Sequence, residues 1–238
     1  MTNQIEVRKE MIATCLRMNA AGLNLGTAGN LSVRIEGGFL VTPSGIAYET
    51  MTPDQIVEMD FDERYYGNYI PSSEWRFHHA ILKHRADANV VLHSHAVNCA
   101  ILASCRLDIP AVHYMVATAG GALIKCSGYA PFGTEALSHE ALAALGPRNA
   151  CLLGNHGVVT LGATMAQAFA LLEEVEYLAR HYIGTRLLGC GVTLNEAEMN
   201  VVLERFKTYG KQADELGDLT GAEGDRVVPP KHGGDRLP

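Results

Sequence analysis

Two histidines at the end of an apolar segment are the residues of this chain best suited to chemistry. His93 and His95 follow Val90, Val91 and Leu92, and a short apolar run with β-branched residues predicts a buried strand. Side chains on a strand alternate between its two faces, so both imidazoles should point the same way. Because neutral imidazoles bind divalent metals, we predict a metal site where this strand ends.

Two further residues could complete that site. His156 lies in a glycine-flanked segment, Gly154-Asn155-His156-Gly157, and Glu74 lies at the start of a predicted helix. Three imidazoles and one carboxylate suit Zn²⁺ or a similar ion. Taken singly, each residue has a plainer interpretation, since a buried histidine can be a core residue and Glu74 a partner of the helix dipole. The same-face pair with a third histidine favours the metal.

Three short polar loops could bind an anion. They cover residues 27–30, 42–45 and 71–73, and each offers small polar side chains beside backbone N–H groups. Such loops, above all at a helix N-terminus, bind phosphate well, although each alone could be an ordinary turn or cap. Together with a metal site they predict a phosphorylated substrate. The chain has no Walker-type or G-x-G-x-x-G loop, so nucleotide binding is not indicated.

Tyr114 and Tyr209 could act as phenolic proton donors, although isolated tyrosines more often serve in packing. Six further histidines have no predicted partner and are interpreted as structural or surface residues. They are His78, His79, His84, His113, His139 and His181.

The periodicity of apolar residues predicts a single α/β domain. Predicted helices cover 4–22, 75–84, 97–104, 164–187 and 195–209, and predicted strands cover 31–35, 39–42, 89–95, 149–153 and 158–161. The early hairpin favours a central mixed, largely antiparallel sheet flanked by helices. Residues 1–214 form the predicted catalytic domain, and the glycine- and proline-rich segment 215–238 a flexible tail.

The composition narrows the class of partner and compartment. With 238 residues and 47% hydrophobic residues, the chain can bury a full core. A formal charge of −7 does not favour nucleic acid, and no apolar run reaches the roughly 20 residues of a membrane helix. Six cysteines lie scattered without a C-x-x-C pair, which predicts free thiols in a reducing cytosol. We therefore expect a cytoplasmic enzyme with no nucleic-acid or membrane partner.

The motifs, in their order along the chain, resemble the class II aldolase/adducin family over roughly residues 5–212. The segments that carry the resemblance are 27–34, 42–46, 71–78, 93–96, 109–121, 154–157 and 206–210. The resemblance implies a zinc-dependent aldolase with one Zn²⁺ per subunit. It would reversibly cleave a ketose 1-phosphate, of the L-fuculose 1-phosphate type, into dihydroxyacetone phosphate and a small aldehyde such as lactaldehyde, through a metal-stabilised enediolate.

The resemblance also assigns a role to each site residue. His93, His95 and His156 would bind zinc, and Glu74 would be a displaceable fourth ligand and the acid/base. The substrate phosphate would be bound by Gly29, Asn30, Ser44, Gly45, Ser72 and Ser73. Tyr114 would reach in from a neighbouring subunit to protonate the aldehyde oxygen, and Tyr209 would help to close the site. A homotetramer with sites at its subunit interfaces is implied.

Other members of the family keep the site and change the outcome. They include aldolases for 5-deoxyribulose 1-phosphate, a pentulose-phosphate 4-epimerase and a methylthioribulose-phosphate dehydratase. Glu74 favours the aldolase branch, because the epimerase branch has an aspartate at this position. The adducin head is a non-catalytic relative without the metal histidines. Metal chemistry makes a Schiff-base lysine unnecessary, and Lys83 and Lys125 lie outside the metal-bearing motifs.

Overall fold

A computed structural model describes residues 4–209 of the chain. The helices are α1 (Gln4–Ala20), α2 (Trp75–His84), α3 (Val97–Ser104), α4 (Glu135–Leu145), α5 (Met165–Leu187) and α6 (Glu196–Phe206), with short 3-10 helices at Pro53–Gln55 and Tyr114–Ala119. The strands are β1 (Asn30–Ile35), β2 (Gly38–Val41), β3 (Val57–Asp60), β4 (Tyr65–Tyr66), β5 (Val90–Ser94), β6 (Ile109–Pro110), β7 (Leu123–Ile124), β8 (Ala150–Leu153) and β9 (Gly157–Gly162).

Seven of these strands form one sheet in the order β4-β3-β2-β1-β5-β9-β8, and β6 pairs with β7. Every named strand pair within residues 4–209 is antiparallel. Among the described residues, parallel pairing is limited to an isolated bridge between Cys126 and Leu152. The predicted single α/β domain with a large antiparallel sheet flanked by helices is confirmed. At its centre, the β1–β5 register places Asn30 opposite His93.

The sheet separates two hydrophobic cores, with α1, α3 and α5 on one face and α2 and α4 on the other. Strand β5 contributes side chains to both cores, because Val90 and Leu92 pack into the first core and Val91 packs into the second. The alternation is the period of two that a strand imposes. His93 shares the face of Val91, where its ring meets Phe77 of α2 at 5.5 Å between centroids. The strand therefore directs His93 toward α2.

The helices predicted from periodicity are present, with ends that differ by a few residues. Thr164 and Asn195 cap α5 and α6 through their side chains. The N-cap position of α2 belongs to Glu74, which makes no side-chain cap hydrogen bond. Ser72 Oγ instead accepts from the Glu74 backbone N–H at 3.3 Å. Helix α4, strand β3 and the 3-10 helix at 114–119 were not predicted.

The predicted thiol state is confirmed, since all six cysteines lie within residues 4–209 and are free. Cys15, Cys99 and Cys151 are buried, and burial raises the pKa of Cys15 to about 12. No helix in the described part of the chain is long and apolar enough to cross a membrane. The predicted tail at 215–238 lies outside the described residues.

Candidate metal centre

Three imidazoles converge where β5 and β9 meet. The ligand nitrogens of His93, His95 and His156 all lie within 4.8 Å of one another. His95 follows the last residue of β5, and its Nε2 lies 3.1 Å from His93 Nε2. His156 comes from the turn between β8 and β9, with its ring centroid 4.7 Å from that of His93 and 4.9 Å from that of His95. The structure thus brings together the three predicted ligands.

Glu74 completes the cluster from the start of α2. Its Oε2 lies 3.3 Å from His93 Nε2, and its Oε1 lies 3.2 Å from His156 Nε2. The carboxyl group is buried, and Oε1 has no hydrogen-bond partner within the described chain. A buried oxygen without a donor is costly unless a cation or a proton satisfies it. The arrangement places one carboxyl group beside the three imidazoles and on the wall of the adjoining cavity.

The protonation of the histidines suits a metal ligand set. His93 Nδ1 lies 3.0 Å from the carbonyl oxygen of Val158, so this nitrogen donates and Nε2 keeps its lone pair. Burial lowers the pKa of His93 well below its ordinary value and also lowers the pKa of His95 and of His156. Neutral imidazoles with inward lone pairs repel one another unless a cation lies between them. The residues therefore fit a divalent ion.

Burial and neighbouring charge shift the pKa of the Glu74 carboxyl group in opposite directions. Desolvation raises the pKa of its carboxyl group, and His156 and the amide of Asn30 partly offset that rise. A carboxyl group with a raised pKa beside a substrate cavity can accept and return a proton near neutral pH. Glu74 is therefore able to serve as a general acid/base.

The backbone near the histidines is shaped for close approach. Asn155 has a φ of 56°, in the left-handed region, which turns the chain so that His156 faces the cluster. A Cβ built on Gly29 would lie 2.7 Å from the carbonyl oxygen of His93. Glycine is therefore required at position 29 for the loop to lie against the end of β5.

The three predicted polar loops meet at the same edge of the sheet. The Ser72 N–H donates to Thr42 O at 2.9 Å, and the Ser44 N–H donates to Ile70 O at 3.0 Å. Thr42 Oγ1 accepts from the Leu31 N–H at 3.2 Å, which ties these loops to the start of β1. Hydrogen bonding thus brings together segments that lie far apart in the sequence.

The Asn30 side chain lies between Glu74 and His78. It is buried, with Nδ2 2.9 Å from Glu74 Oε2 and Oδ1 2.5 Å from His78 Nε2. The side-chain amide thus contacts Glu74 through one of its two N–H groups and His78 through its oxygen. Ser44, Gly45 and Ser73 are exposed, whereas Gly29 and Ser72 are buried.

The cluster opens into a cavity of about 390 Å³. Its lining residues are Thr27, Ala28, Ser73, Glu74, His95, Tyr129, Ala130, Phe132, Asn155 and His156. Tyr129 and Phe132 were not predicted as site residues, because they lie in a segment without a recognisable chemical motif. Phe132 is 70% exposed although it is large and apolar.

The two predicted tyrosines lie together, outside the set of residues that line this cavity. Tyr114 is 45% exposed and its ring stacks on His113 at 4.9 Å. Tyr209 is 56% exposed, and Phe206 lies between the two, 6.4 Å from Tyr114 and 5.0 Å from Tyr209 between centroids. Within one chain, these phenols form a separate aromatic surface.

Comparisons with known proteins agree with this geometry. A sequence profile of the Class II Aldolase and Adducin N-terminal domain matches residues 9–183. The chain is 46% identical over 211 residues to the L-fuculose phosphate aldolase of Escherichia coli K12, covering 88% of this chain and 98% of that protein. It is equally 46% identical over 211 residues to the 5-methylthioribulose-1-phosphate/5-deoxyribulose-1-phosphate aldolase of Rhodospirillum rubrum, covering 89% and 96%.

The fold gives the same result. A solved structure of an L-fuculose 1-phosphate aldolase superposes with a TM-score of 0.82 at 36% identity, covering 85% of this chain and 96% of that one. The profile match, the two relatives and this superposition each span most of the chain. The chain therefore belongs to the class II aldolase and adducin family, among its aldolases.

Proposed function

We propose that this protein is a zinc-dependent aldolase that reversibly cleaves L-fuculose 1-phosphate, or a close ketose 1-phosphate, into dihydroxyacetone phosphate and a small aldehyde such as lactaldehyde. The observation that carries the proposal is the convergence of three imidazole nitrogens within 4.8 Å beside a buried carboxyl group. His93, His95 and His156 would hold one Zn²⁺ per chain. The bound ion would supply Lewis acidity that stabilises negative charge on substrate oxygens when the C3–C4 bond breaks.

Glu74 supplies the proton transfer. Glu74 lines the cavity, and its Oε1 lies 3.2 Å from His156 Nε2 and lacks a hydrogen-bond donor within the described residues. In the cleavage direction it would act as an acid/base at the reacting carbon, and it would leave the metal when the substrate binds. General acid/base catalysis of this kind is worth about 10²–10⁴ in rate.

The substrate phosphate would lie against the assembled polar loops. The proposed contacts are Gly29, Asn30, Ser44, Gly45, Ser72 and Ser73. Anchoring a remote phosphate supplies binding energy that orients the reacting carbons. Neutral donors suffice here, because backbone and hydroxyl groups bind phosphate without a fixed cation.

Tyr114 and Tyr209 would act in a homotetramer. Their exposed aromatic surface, with Phe206 between them, supports a role at the active site of a neighbouring subunit. Tyr114 would protonate the aldehyde oxygen during synthesis, and Tyr209 would help to close the site. We place the enzyme in the cytoplasm.

A second substrate is favoured by a specific observation. The Rhodospirillum rubrum relative, at 46% identity, is named for 5-methylthioribulose 1-phosphate and 5-deoxyribulose 1-phosphate. Tyr129, Ala130 and Phe132 give the cavity an apolar wall, which suits an aldehyde with a methyl or thioether end. We therefore keep 5-deoxyribulose 1-phosphate as the alternative substrate. A pentulose-phosphate 4-epimerase or a methylthioribulose-phosphate dehydratase would use the same pocket without releasing dihydroxyacetone phosphate.

A coupled assay for dihydroxyacetone phosphate separates these possibilities. L-fuculose, L-rhamnulose and 5-deoxyribulose 1-phosphates and a phosphorylated L-ribulose are each given to protein of known zinc content. We expect release from L-fuculose 1-phosphate or 5-deoxyribulose 1-phosphate, loss of activity in EDTA and recovery with Zn²⁺. Full turnover in metal-free buffer, or no release from any ketose phosphate, would overturn the proposal.

A further inference from the structure

Four buried polar residues form a row that ends on Glu74. Asn30 and Ser32 lie two residues apart on β1, so their side chains share one face of the strand. Glu74 and His78 lie four residues apart at the start of α2, one helical turn from each other. All four side chains are buried. The two strand residues, Asn30 and Ser32, therefore lie opposite the two helix residues, Glu74 and His78.

The hydrogen bonds of this row all donate in one direction, from Ser32 through His78 and Asn30 to Glu74. Asn30 Nδ2 lies 2.9 Å from Glu74 Oε2 and Asn30 Oδ1 lies 2.5 Å from His78 Nε2. A carboxylate can only accept, so the amide presents its NH₂ to Glu74 and its oxygen to His78. His78 Nε2 must then donate to that oxygen. His78 Nδ1 accepts from the Ser32 hydroxyl, whose Oγ lies 2.7 Å away.

His78 is held as a fixed, neutral ring. Burial lowers its pKa to about 3, so it carries one N–H near neutral pH. Its ring stacks on Phe77 at 4.4 Å between centroids. The single ring N–H of His78 therefore donates to Asn30, and the ring cannot turn without breaking two buried hydrogen bonds.

We propose that His78 is a positioning residue for the aldolase reaction: its Nε2–H holds the Asn30 amide with the NH₂ group toward Glu74, and thereby fixes the Glu74 carboxylate. This inference rests on the proposed function and deepens it. It gives the two carboxylate oxygens different roles. Oε2 is anchored by Asn30, and Oε1, which has no hydrogen-bond partner among the described residues, is the oxygen that carries the proton.

The orientation of the amide depends on the donor at His78. An asparagine amide has similar shape when its oxygen and nitrogen exchange places, so only its partners decide which atom faces Glu74. Without the His78 donor, Asn30 Oδ1 loses its hydrogen-bond partner, and the amide is held only by its contact with Glu74 Oε2. The amide can then move, and Glu74 would lose the fixed position from which it serves the reaction.

The test compares His78→Phe, His78→Gln and His79→Phe in the zinc-loaded full-length protein. His78→Phe removes the donor, and we expect kcat to fall about 10- to 100-fold, the usual effect of losing a partner of a metal-site residue. KM should change by less than about threefold, because the loss concerns proton transfer rather than phosphate binding. His78→Gln keeps an N–H donor near the position of Nε2 and should restore most of kcat.

His79 provides the matched control. It is the next residue of α2, is also buried, and its Nε2 lies 3.1 Å from the carbonyl oxygen of Phe61 rather than near Glu74. His79→Phe should change stability and leave kcat within about twofold. A comparable loss of kcat in His78→Phe and His79→Phe would show a general effect of core disruption and overturn the positioning role.

A double-mutant cycle with Glu74→Gln isolates the coupling. If His78 acts through Glu74, His78→Phe should cost less than about threefold in the Glu74→Gln background. The same large factor in both backgrounds would overturn the proposal. These measurements require a wild-type protein that releases dihydroxyacetone phosphate, so an inactive wild type refutes the proposed function instead. A ¹⁵N NMR spectrum of the His78 ring does not depend on enzyme activity. We expect a protonated Nε2 and an unprotonated Nδ1, and the opposite tautomer would refute the proposed hydrogen bonds.

Discussion

Gly157 lies against His93 so closely that a β carbon at position 157 would be 3.2 Å from His93 Cε1. The same atom would lie 3.0 Å from His95 Cδ2 and closer still to the carbonyl oxygen of Ser94. Glycine is therefore required where β9 begins, because two metal-site rings and the β5 backbone occupy the space of a side chain. The sheet positions the histidines by excluding atoms as well as by hydrogen bonding.

Gly157→Ala should weaken metal binding. The added methyl group must displace the rings or the strand, and overpacking of this kind costs about 1–3 kcal/mol of stability. We expect zinc affinity, measured by competition with a chelator, to fall about 10-fold or more, since the ligands can no longer converge.

Gly184→Ala is the matched control, because a β carbon there would meet no atom within 4 Å. In the interior of α5 it should stabilise the protein by about 0.5–1 kcal/mol and leave zinc affinity unchanged. Equal zinc affinity for Gly157→Ala and the wild type would refute the packing argument.

The clustering of the three histidines could be predicted because it depends on local geometry. The period of two on β5 places His93 on one face, and His95 returns to it just past the last paired residue. His156 was identifiable from its glycine-flanked turn. The five predicted helices could likewise be located from the spacing of their apolar residues, and Thr164 and Asn195 also cap α5 and α6.

The second layer of the site could not be predicted in the same way. His78 had no visible partner in the sequence, since its contact with Asn30 requires β1 and α2 to pack face to face. The Glu74–His78 spacing of one helical turn was the available signal. Tyr129 and Phe132 reach the cavity from an irregular segment before α4, where no periodicity indicates a direction.

The metal-free protein should lose stability in mild acid through His78. Its folded pKa of about 3 lies below its ordinary value of 6.5, so the unfolded chain binds a proton that the fold excludes. Above about pH 6.5 the titration of His78 does not lower the free energy of unfolding. As the pH falls from there toward 3, the free energy of unfolding decreases by about 1.4 kcal/mol per pH unit for this one proton. We expect urea unfolding at several pH values, with chelator present, to show that the free energy of unfolding depends less steeply on pH in His78→Gln than in the wild type. Parallel curves would contradict the neutral, buried imidazole.

Glu74→Gln should separate metal binding from turnover. The three histidines remain, so zinc stoichiometry should stay near one per chain, while turnover falls about 10²–10⁴-fold through the loss of the acid/base. The amide removes a desolvated carboxyl group, so folding should not suffer, and thermal unfolding checks this. A wild-type rate in Glu74→Gln would exclude Glu74 from proton transfer.

Borohydride should fail to inactivate the enzyme in the presence of substrate. An imine mechanism needs a lysine at the reacting carbonyl, and within residues 4–209 no lysine lines the cavity. Mass spectrometry after borohydride treatment should find unmodified protein with full activity. A reduced adduct on any lysine would replace the metal mechanism by a covalent one.

Mixing two inactive variants should restore activity if sites are shared between subunits. Tyr114 lies in an exposed aromatic surface and does not line the cavity of its own chain, whereas His93 is buried in the metal cluster. In a homotetramer that combines Tyr114 of one subunit with His93 of another, Tyr114→Phe and His93→Ala carry complementary defects. After joint refolding, up to about one site in four should hold both intact residues, because each site draws from two subunits at random. Each variant refolded alone is the control, and a mixture as inactive as its components would place Tyr114 outside the shared site.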